Sequence, residues 1–229
     1  MTPPQDKDEV AAAKASLELM VMENKHLVTK FGGLLSDLEE MQKLPAPQRH
    51  EKFKALEKTG AFQFKGVDIR HFKSGQANQP LPPSLFLERT QRRLQNTALI
   101  LKELASRGGF DRSAQLQEAI AKLTSRVVDP GSPRDVQDFR SQVVSLHDDE
   151  LFKSYLQAKK DFISKDQEMR TEVEMLTTKE TLGDNLVALK ANESSLTDLK
   201  TKMESGEVAP AVVMEQLDHL DPAKGLAGK

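Results

Sequence analysis

The sequence contains no cysteine and no tryptophan, and only one tyrosine and four isoleucines occur among its 229 residues. The absence of cysteine excludes disulfide bonds, thiolate catalysis and cysteine-ligated zinc. Aromatic residues make up 5 % of the chain, whereas leucine, alanine, glutamate, lysine and glutamine are abundant. Because the scarce types favour strands and the abundant types favour helices, the composition predicts an all-α protein and argues against a large β or α/β fold.

Long apolar runs are also missing. No stretch of about 18 consecutive apolar residues exists, so the sequence predicts no transmembrane helix. Residues 1–10 are polar and acidic and no apolar run follows them, which is unlike a secretory signal or a transit peptide. We therefore expect a cytoplasmic location, with non-classical secretion left open.

Apolar residues at alternating spacings of three and four predict a long amphipathic helix near the N-terminus. In heptad register, the a and d positions that we expect to face partner helices include Val10, Leu17, Met20, Asn24, Leu27, Phe31, Leu34 and Leu38. Further apolar residues at e positions widen the stripe, which favours packing against two or more helices over a dimeric zipper. Asn24 is either a device that specifies the register with a partner helix or a partly exposed residue at an uneven seam.

A second long helix is predicted over residues 149–205, which contain no proline and one glycine, Gly183. A continuous helix of this length would extend about 85 Å. Its apolar seam includes Phe162, Met169, Val173, Leu176, Leu186, Leu189 and Leu196. The register slips near Gly183, which indicates either a local distortion of a coiled coil or a turn between two helices.

Proline and glycine positions divide the chain into five segments. These are an N-terminal coiled-coil helix (1–44), a connecting segment (45–83), a helical array (84–148), the second long helix (149–205), and a short helix with a frayed tail (206–229). The connecting segment holds a short helix, an alternating stretch that predicts a β-hairpin, and a proline-rich linker. The predicted fold is an elongated all-α bundle or coiled coil with a small central insert.

Charge is distributed unevenly, with net charges of −3 in residues 1–48, +7 in 49–112 and −6 in 113–229. The basic middle indicates either binding to nucleic acid or an anionic membrane, or pairing with the acidic flanking segments, which we favour. The candidate anion-binding residues are Arg49, Lys52, Lys54, Lys65, Arg70, Lys73, Arg89, Arg92 and Arg93.

No arrangement typical of catalysis or metal binding occurs in the sequence. His147, Asp148, Asp149 and Glu150 are ligand types, but adjacent helical residues point in different directions, and a ligand pair needs a spacing of about four. We therefore predict a non-enzymatic scaffold or complex subunit without a cofactor. It would form homo- or hetero-oligomers with protein partners through its two seams. The alternatives are a module that binds nucleic acid or an anionic membrane through residues 49–112, and a self-assembling secreted filament or appendage subunit.

Overall fold

The computed structural model describes residues 7–71 and 81–220, and this part of the chain is almost entirely helical. The helices are α1 (Lys7–Gln42), α2 (Ala46–Lys58), α3 (Pro83–Ser106), α4 (Ser113–Thr124), α5 (Pro133–Asp148), α6 (Glu150–Ile163), α7 (Gln167–Glu204) and α8 (Pro210–Leu220). The prediction of an all-α, helix-bundle fold is confirmed. Among the described helices, none is both long and apolar enough to cross a membrane. Lys73, most of the predicted linker and the predicted frayed tail lie outside the described residues.

The single long helix predicted over residues 149–205 is wrong, because the structure divides this segment into α6 and α7. The break falls at residues 164–166, where the Asp166 carboxylate accepts a hydrogen bond from the backbone N–H of Met169 at 2.8 Å. This carboxylate satisfies one of the free N–H groups at the start of α7. Helix α7 continues through Gly183 without interruption, so the predicted register slip marks neither a turn nor a helix end.

The contacts divide the chain into two compact units. Unit 1 takes its described residues from Met1–Asp37, Gly60–Leu81 and Leu182–Lys229, and unit 2 consists of Leu38–Thr59 and Pro82–Thr181. The helices α1 and α7 each contribute to both units, so neither unit is one continuous stretch of sequence.

Unit 1 is a bundle in which α1 packs against α7 and α8. Its apolar cluster contains Ala13, Leu17, Leu196, Leu199, Val213 and Leu217. The helices α1 and α7 run in opposite directions here, because Asn24 is bonded to Leu189 while the earlier Leu17 shares a cluster with the later Leu196. Helix α1 therefore contacts more than one helix, as its e-position residues predict.

The β-hairpin predicted in the connecting segment is present in unit 1. Its strands, β1 (Gln63–Phe64) and β2 (Val67–Asp68), pair antiparallel. Lys65 and Gly66 form the two-residue turn with φ angles of 49° and 80°, the conformation that hairpin turns favour. The ammonium of Lys30 on α1 donates a hydrogen bond to the Gln63 carbonyl at 2.7 Å, which fixes the hairpin on the helix.

Unit 2 contains α2 to α6 together with the adjoining parts of α1 and α7. Within it, α4 and α6 contact each other, and each of them contacts both α3 and α5. Phe53, Phe139 and Tyr155 are among its fully buried side chains. The ring of Tyr155 packs edge-on against Phe152, with 5.6 Å between the ring centroids. Burial raises the pKa of the Tyr155 phenol well above its ordinary value, so it remains protonated at neutral pH.

Two glycines are expected to respond oppositely to alanine substitution. A Cβ at Gly33, exposed on α1, would meet no atom within 4 Å, so Gly33→Ala should raise the free energy of unfolding by about 1 kcal/mol. A Cβ at Gly109 would lie 2.4 Å from Leu104 Cδ1 and 2.8 Å from Phe162 Cδ2, so Gly109→Ala should lower it by about 1–3 kcal/mol. Urea denaturation measures both changes, and the same sign for both would contradict this packing.

Candidate functional site

The seam residues that were predicted to face a partner are largely covered by the chain itself. Those with less than a tenth of their surface exposed are Leu17, Asn24, Leu27, Phe31, Leu34, Leu38, Met169, Val173, Leu176, Leu186, Leu189 and Leu196. Val10, Met20 and Phe162 are half-buried. The two seams therefore supply much of the protein's own core, and their buried surface is not available to another chain in this structure.

Asn24 is buried between α1 and α7 of the same chain. Its amide Nδ2 donates a hydrogen bond to the backbone carbonyl of Leu189 at 3.0 Å. In unit 2, Asn96 of α3 makes the same kind of bond to the carbonyl of Leu176 at 3.2 Å. A buried asparagine that bonds to one carbonyl favours one register over its neighbours, so Asn24 fits a role in aligning α1 with α7.

Most of the candidate anion-binding residues are engaged in ion pairs within the chain. Six of them pair with carboxylates, namely Arg49, Lys54, Lys65, Arg70, Arg92 and Arg93. Lys52 is exposed on α2, and Arg89 is half-buried on α3. The residues are also divided between the units, because Lys65 and Arg70 belong to unit 1 while the other described ones belong to unit 2. Pairing within the chain therefore accounts for most of this basic segment.

One ion-pair cluster in unit 2 is buried. The carboxylate of Glu172 on α7, 4 % exposed, accepts a hydrogen bond from Arg49 Nε at 2.9 Å and lies 2.7 Å from His50 Nε2, both on α2. Arg49 Nη1 also donates to the carbonyl of Leu44 at 2.7 Å. The cluster joins α2 to α7 through a buried carboxylate.

An open groove between α3 and α5, here called the α3–α5 groove, lies on the surface of unit 2. Its volume is about 210 Å³, and its lining consists of Phe86, Thr90, Arg93, Leu94, Thr97, Arg140, Val143, Val144 and His147. Leu94 and Val143 are buried at its floor, whereas Val144 is 53 % exposed. The groove thus presents an apolar floor with an uncovered apolar edge.

The charged groups that line this groove are all basic. The guanidinium of Arg140 lies 4.7 Å from the centre of the Phe86 ring, within the range of a cation–π contact. Arg93 Nε is 3.5 Å from Glu180 Oε1, so this carboxylate partly neutralises the charge of Arg93. Desolvation and the nearby charge of Arg93 lower the pKa of His147 below its ordinary value, against the smaller opposite effect of Asp148. At neutral pH the positive charge of the groove therefore comes from the two arginines.

The polar side chains that line the groove make local hydrogen bonds. The Thr90 hydroxyl donates to the carbonyl of Phe86 at 2.8 Å, and the Thr97 hydroxyl donates to the carbonyl of Arg93 at 3.0 Å. No carboxylate lines the groove, so it holds no acid–base pair. Within residues 7–71 and 81–220, no three histidine or acidic side chains are grouped closely enough to hold a metal ion.

Sequence reasoning singled out only part of this groove. Of the residues that line the groove, the sequence analysis identified Arg93, as a candidate anion-binding residue. Arg140 was missed because it lies outside the basic segment 49–112, and charge summed along the sequence does not report charge on a helix face. The neighbouring pair Val143 and Val144 was the available signal, since it widens the apolar stripe of α5 beyond the buried positions.

Comparisons with models of protein families, with curated protein sequences and with solved structures found no match for this chain.

Proposed function

We propose that this chain is a non-enzymatic helical scaffold or complex subunit that acts by binding another protein, and that the α3–α5 groove is its docking surface. The observation that carries the proposal is the groove itself, a cleft between two helices with a buried apolar floor and an exposed valine at its edge. Clefts of this kind accept the apolar face of a partner helix.

The α3–α5 groove is a better candidate for a docking surface than the two long seams. The seam side chains already pack against one another inside the chain, so a partner could reach them only if the core opened. Val144, in contrast, loses its exposed surface only when something covers the groove. Burial of such apolar surface is a favourable term in association.

The alternatives have less support. A polyanion ligand would have to compete with carboxylates for six of the candidate cations. Self-assembly through the seams would require the intramolecular packing of α1 and α7 to be exchanged for packing between chains. For these reasons we propose a protein partner bound at the groove rather than a nucleic acid, a membrane or a filament neighbour.

The proposal is tested by selecting helical peptides from a displayed library against the full-length chain. Each selected peptide is then measured on Val144→Trp, which fills the groove, and on Leu156→Trp, a matched change at a 43 % exposed apolar residue of α6 outside the groove. We expect selected peptides to bind the wild type and Leu156→Trp equally and to lose binding to Val144→Trp. Circular dichroism verifies that both variants keep their helices.

Two results would contradict the proposal. If repeated selection enriches no peptide, the groove does not dock helical segments. If the enriched peptides bind both tryptophan variants as tightly as the wild type, docking occurs elsewhere on the surface.

A further inference from the structure

We infer that the segment docked in the α3–α5 groove is an acidic amphipathic α-helix, an inference that rests on the proposed function and specifies the chemistry of its partner. The inference depends on one arrangement. Leu94 and Val143 form an apolar floor, and the arginines Arg93 and Arg140 line the same groove. The length, the volume and the charge of the groove each limit what kind of ligand can bind there.

The length of the groove suits a short helix. Phe86 and Thr97 mark the extent of the lining on α3, and they lie eleven positions apart, or about 16.5 Å at 1.5 Å per residue. That distance corresponds to about three turns of a bound helix. A segment of this length presents a row of residues three and four positions apart on one face, and two leucines four positions apart fit within it.

The volume argues against a small-molecule ligand. Sites that enclose drug-sized ligands usually measure about 300–1,000 Å³ and bury most of the ligand surface. The α3–α5 groove has a volume of about 210 Å³ and leaves Val144 half-uncovered. It therefore has room for side chains inserted from a larger body that remains outside, which is how a helix docks in a groove.

The positive charge of the groove favours a bound helix with acidic residues beside its apolar residues. Arg93 and Arg140 line it together with His147, and no carboxylate does. Among the described residues, Arg140 forms no ion pair, and its contact with Phe86 leaves the guanidinium N–H groups available to a partner's carboxylate. An arginine presents its N–H groups in a planar fork that matches a carboxylate. Glutamates beside the apolar residues that a docked helix inserts into the groove would form ion pairs with these arginines.

A polyanion fits the groove less well than such a helix. Nucleic-acid affinity rises with the number of phosphates neutralised by basic groups, and this groove offers two arginines beside a floor of aliphatic side chains. A strand of phosphates would leave that apolar floor uncovered. An amphipathic helix satisfies the charged and the apolar parts together.

The test uses three synthetic helical peptides of about 18 residues, long enough for partial helicity in water. All have two leucines four positions apart, flanked by glutamate in the first peptide, glutamine in the second and lysine in the third. Fluorescence anisotropy of labelled peptides with the full-length chain measures affinity. We expect the glutamate peptide to bind about tenfold more tightly than the glutamine peptide, and the lysine peptide to bind weakest.

Charge reversal in the protein provides the matched comparison. Arg140→Glu should weaken the glutamate peptide about tenfold and strengthen the lysine peptide, because attraction becomes repulsion at one edge of the groove. Arg134→Glu introduces the same charge change at an exposed position of α5 that does not line the groove. It should change the affinity of the glutamate peptide less than about twofold, since salt screens distant surface charges.

The outcomes separate this inference from the proposed function. If the glutamine or lysine peptide binds as tightly as the glutamate peptide and Val144→Trp abolishes binding, the groove docks helices without preferring acidic ones, and only the inference fails. If no peptide binds, and library selection also yields none, both fail. If single-stranded DNA binds with an affinity that falls in Arg140→Glu but not in Val144→Trp, the groove is an anion site, and both are overturned.

Discussion

Replacing Glu172 by glutamine is expected to lower the free energy of unfolding, by an amount near the low end of about 3–5 kcal/mol, because it removes the nearer and more buried of the two carboxylates that pair with Arg49. The second carboxylate, Glu103, remains 3.4 Å from Arg49 Nη2. Arg49 is 9 % exposed and its Nε lies 2.9 Å from the Glu172 carboxylate. Glutamine keeps the size of the side chain, so the change removes charge rather than volume. Urea denaturation followed by circular dichroism measures the loss.

Glu174 provides the matched control for this prediction. It lies two residues further along α7 and pairs with Lys54 at 3.1 Å, but both side chains are 41 % exposed. Glu174→Gln should therefore cost less than about 1 kcal/mol, the usual range for an exposed ion pair. Equal losses at the two positions would mean that Glu172 is as well hydrated as Glu174 and would contradict the buried cluster.

A combined variant separates the pairing of the charges from their burial. Replacing Arg49, His50 and Glu172 together, by methionine, leucine and leucine, removes the guanidinium and the imidazole along with the carboxylate. Exchanging a buried ionic cluster for apolar residues is often neutral or stabilising, so the triple variant is expected to be more stable than Glu172→Gln alone. A triple variant less stable than the single one would show that the other contacts of Arg49, with the carbonyl of Leu44 and with Glu103, contribute more than the buried ion pair.

The helices could be predicted from the sequence because their apolar periodicity and end signals are local. At the start of α5, Ser132 is the N-cap and Pro133 the first helical residue, a local signal that is visible in the sequence. The Ser132 hydroxyl accepts a hydrogen bond from the N–H of Asp135 at 3.3 Å. The break before α7 was missed because it contains neither proline nor glycine. Its N-cap is Asp166, and because aspartate also occurs on exposed helix faces, this residue alone does not indicate a helix start. The sequence instead indicated a distortion or a turn near Gly183, but this residue is buried within a continuous helix.

The candidate site could not be predicted because it depends on long-range packing. The buried cluster joins Arg49 to Glu172, which lie 123 positions apart in the sequence, and no local pattern connects them. The α3–α5 groove likewise brings Arg93 beside α5 only after the helices of unit 2 pack. Periodicity reports that a side chain is buried, but it does not report which helix covers it.

In the α1 seam, the periodicity predicts burial but does not show whether a helix of the same chain or of a second chain covers the seam. Substitutions at two nearby leucines of α1 distinguish these cases. Leu17 is 1 % exposed in the apolar cluster of unit 1, whereas Leu19 on the same helix is 61 % exposed. Leu17→Asp should lower the free energy of unfolding by more than about 4 kcal/mol, since it removes core packing and buries a carboxylate. Leu19→Asp should cost less than about 1 kcal/mol, as is usual for an exposed position.

The dependence of the Leu17→Asp effect on protein concentration distinguishes an intramolecular seam from one between chains. If α7 and α8 of the same chain cover Leu17, the variant loses helicity and unfolds at lower urea, equally at all protein concentrations. If a second chain covered Leu17, the variant would instead keep its helicity while its mass by light scattering fell on dilution. Because the cluster around Leu17 is completed by Leu196 and Val213 of the same chain, we expect the first result, with recognition left to the α3–α5 groove.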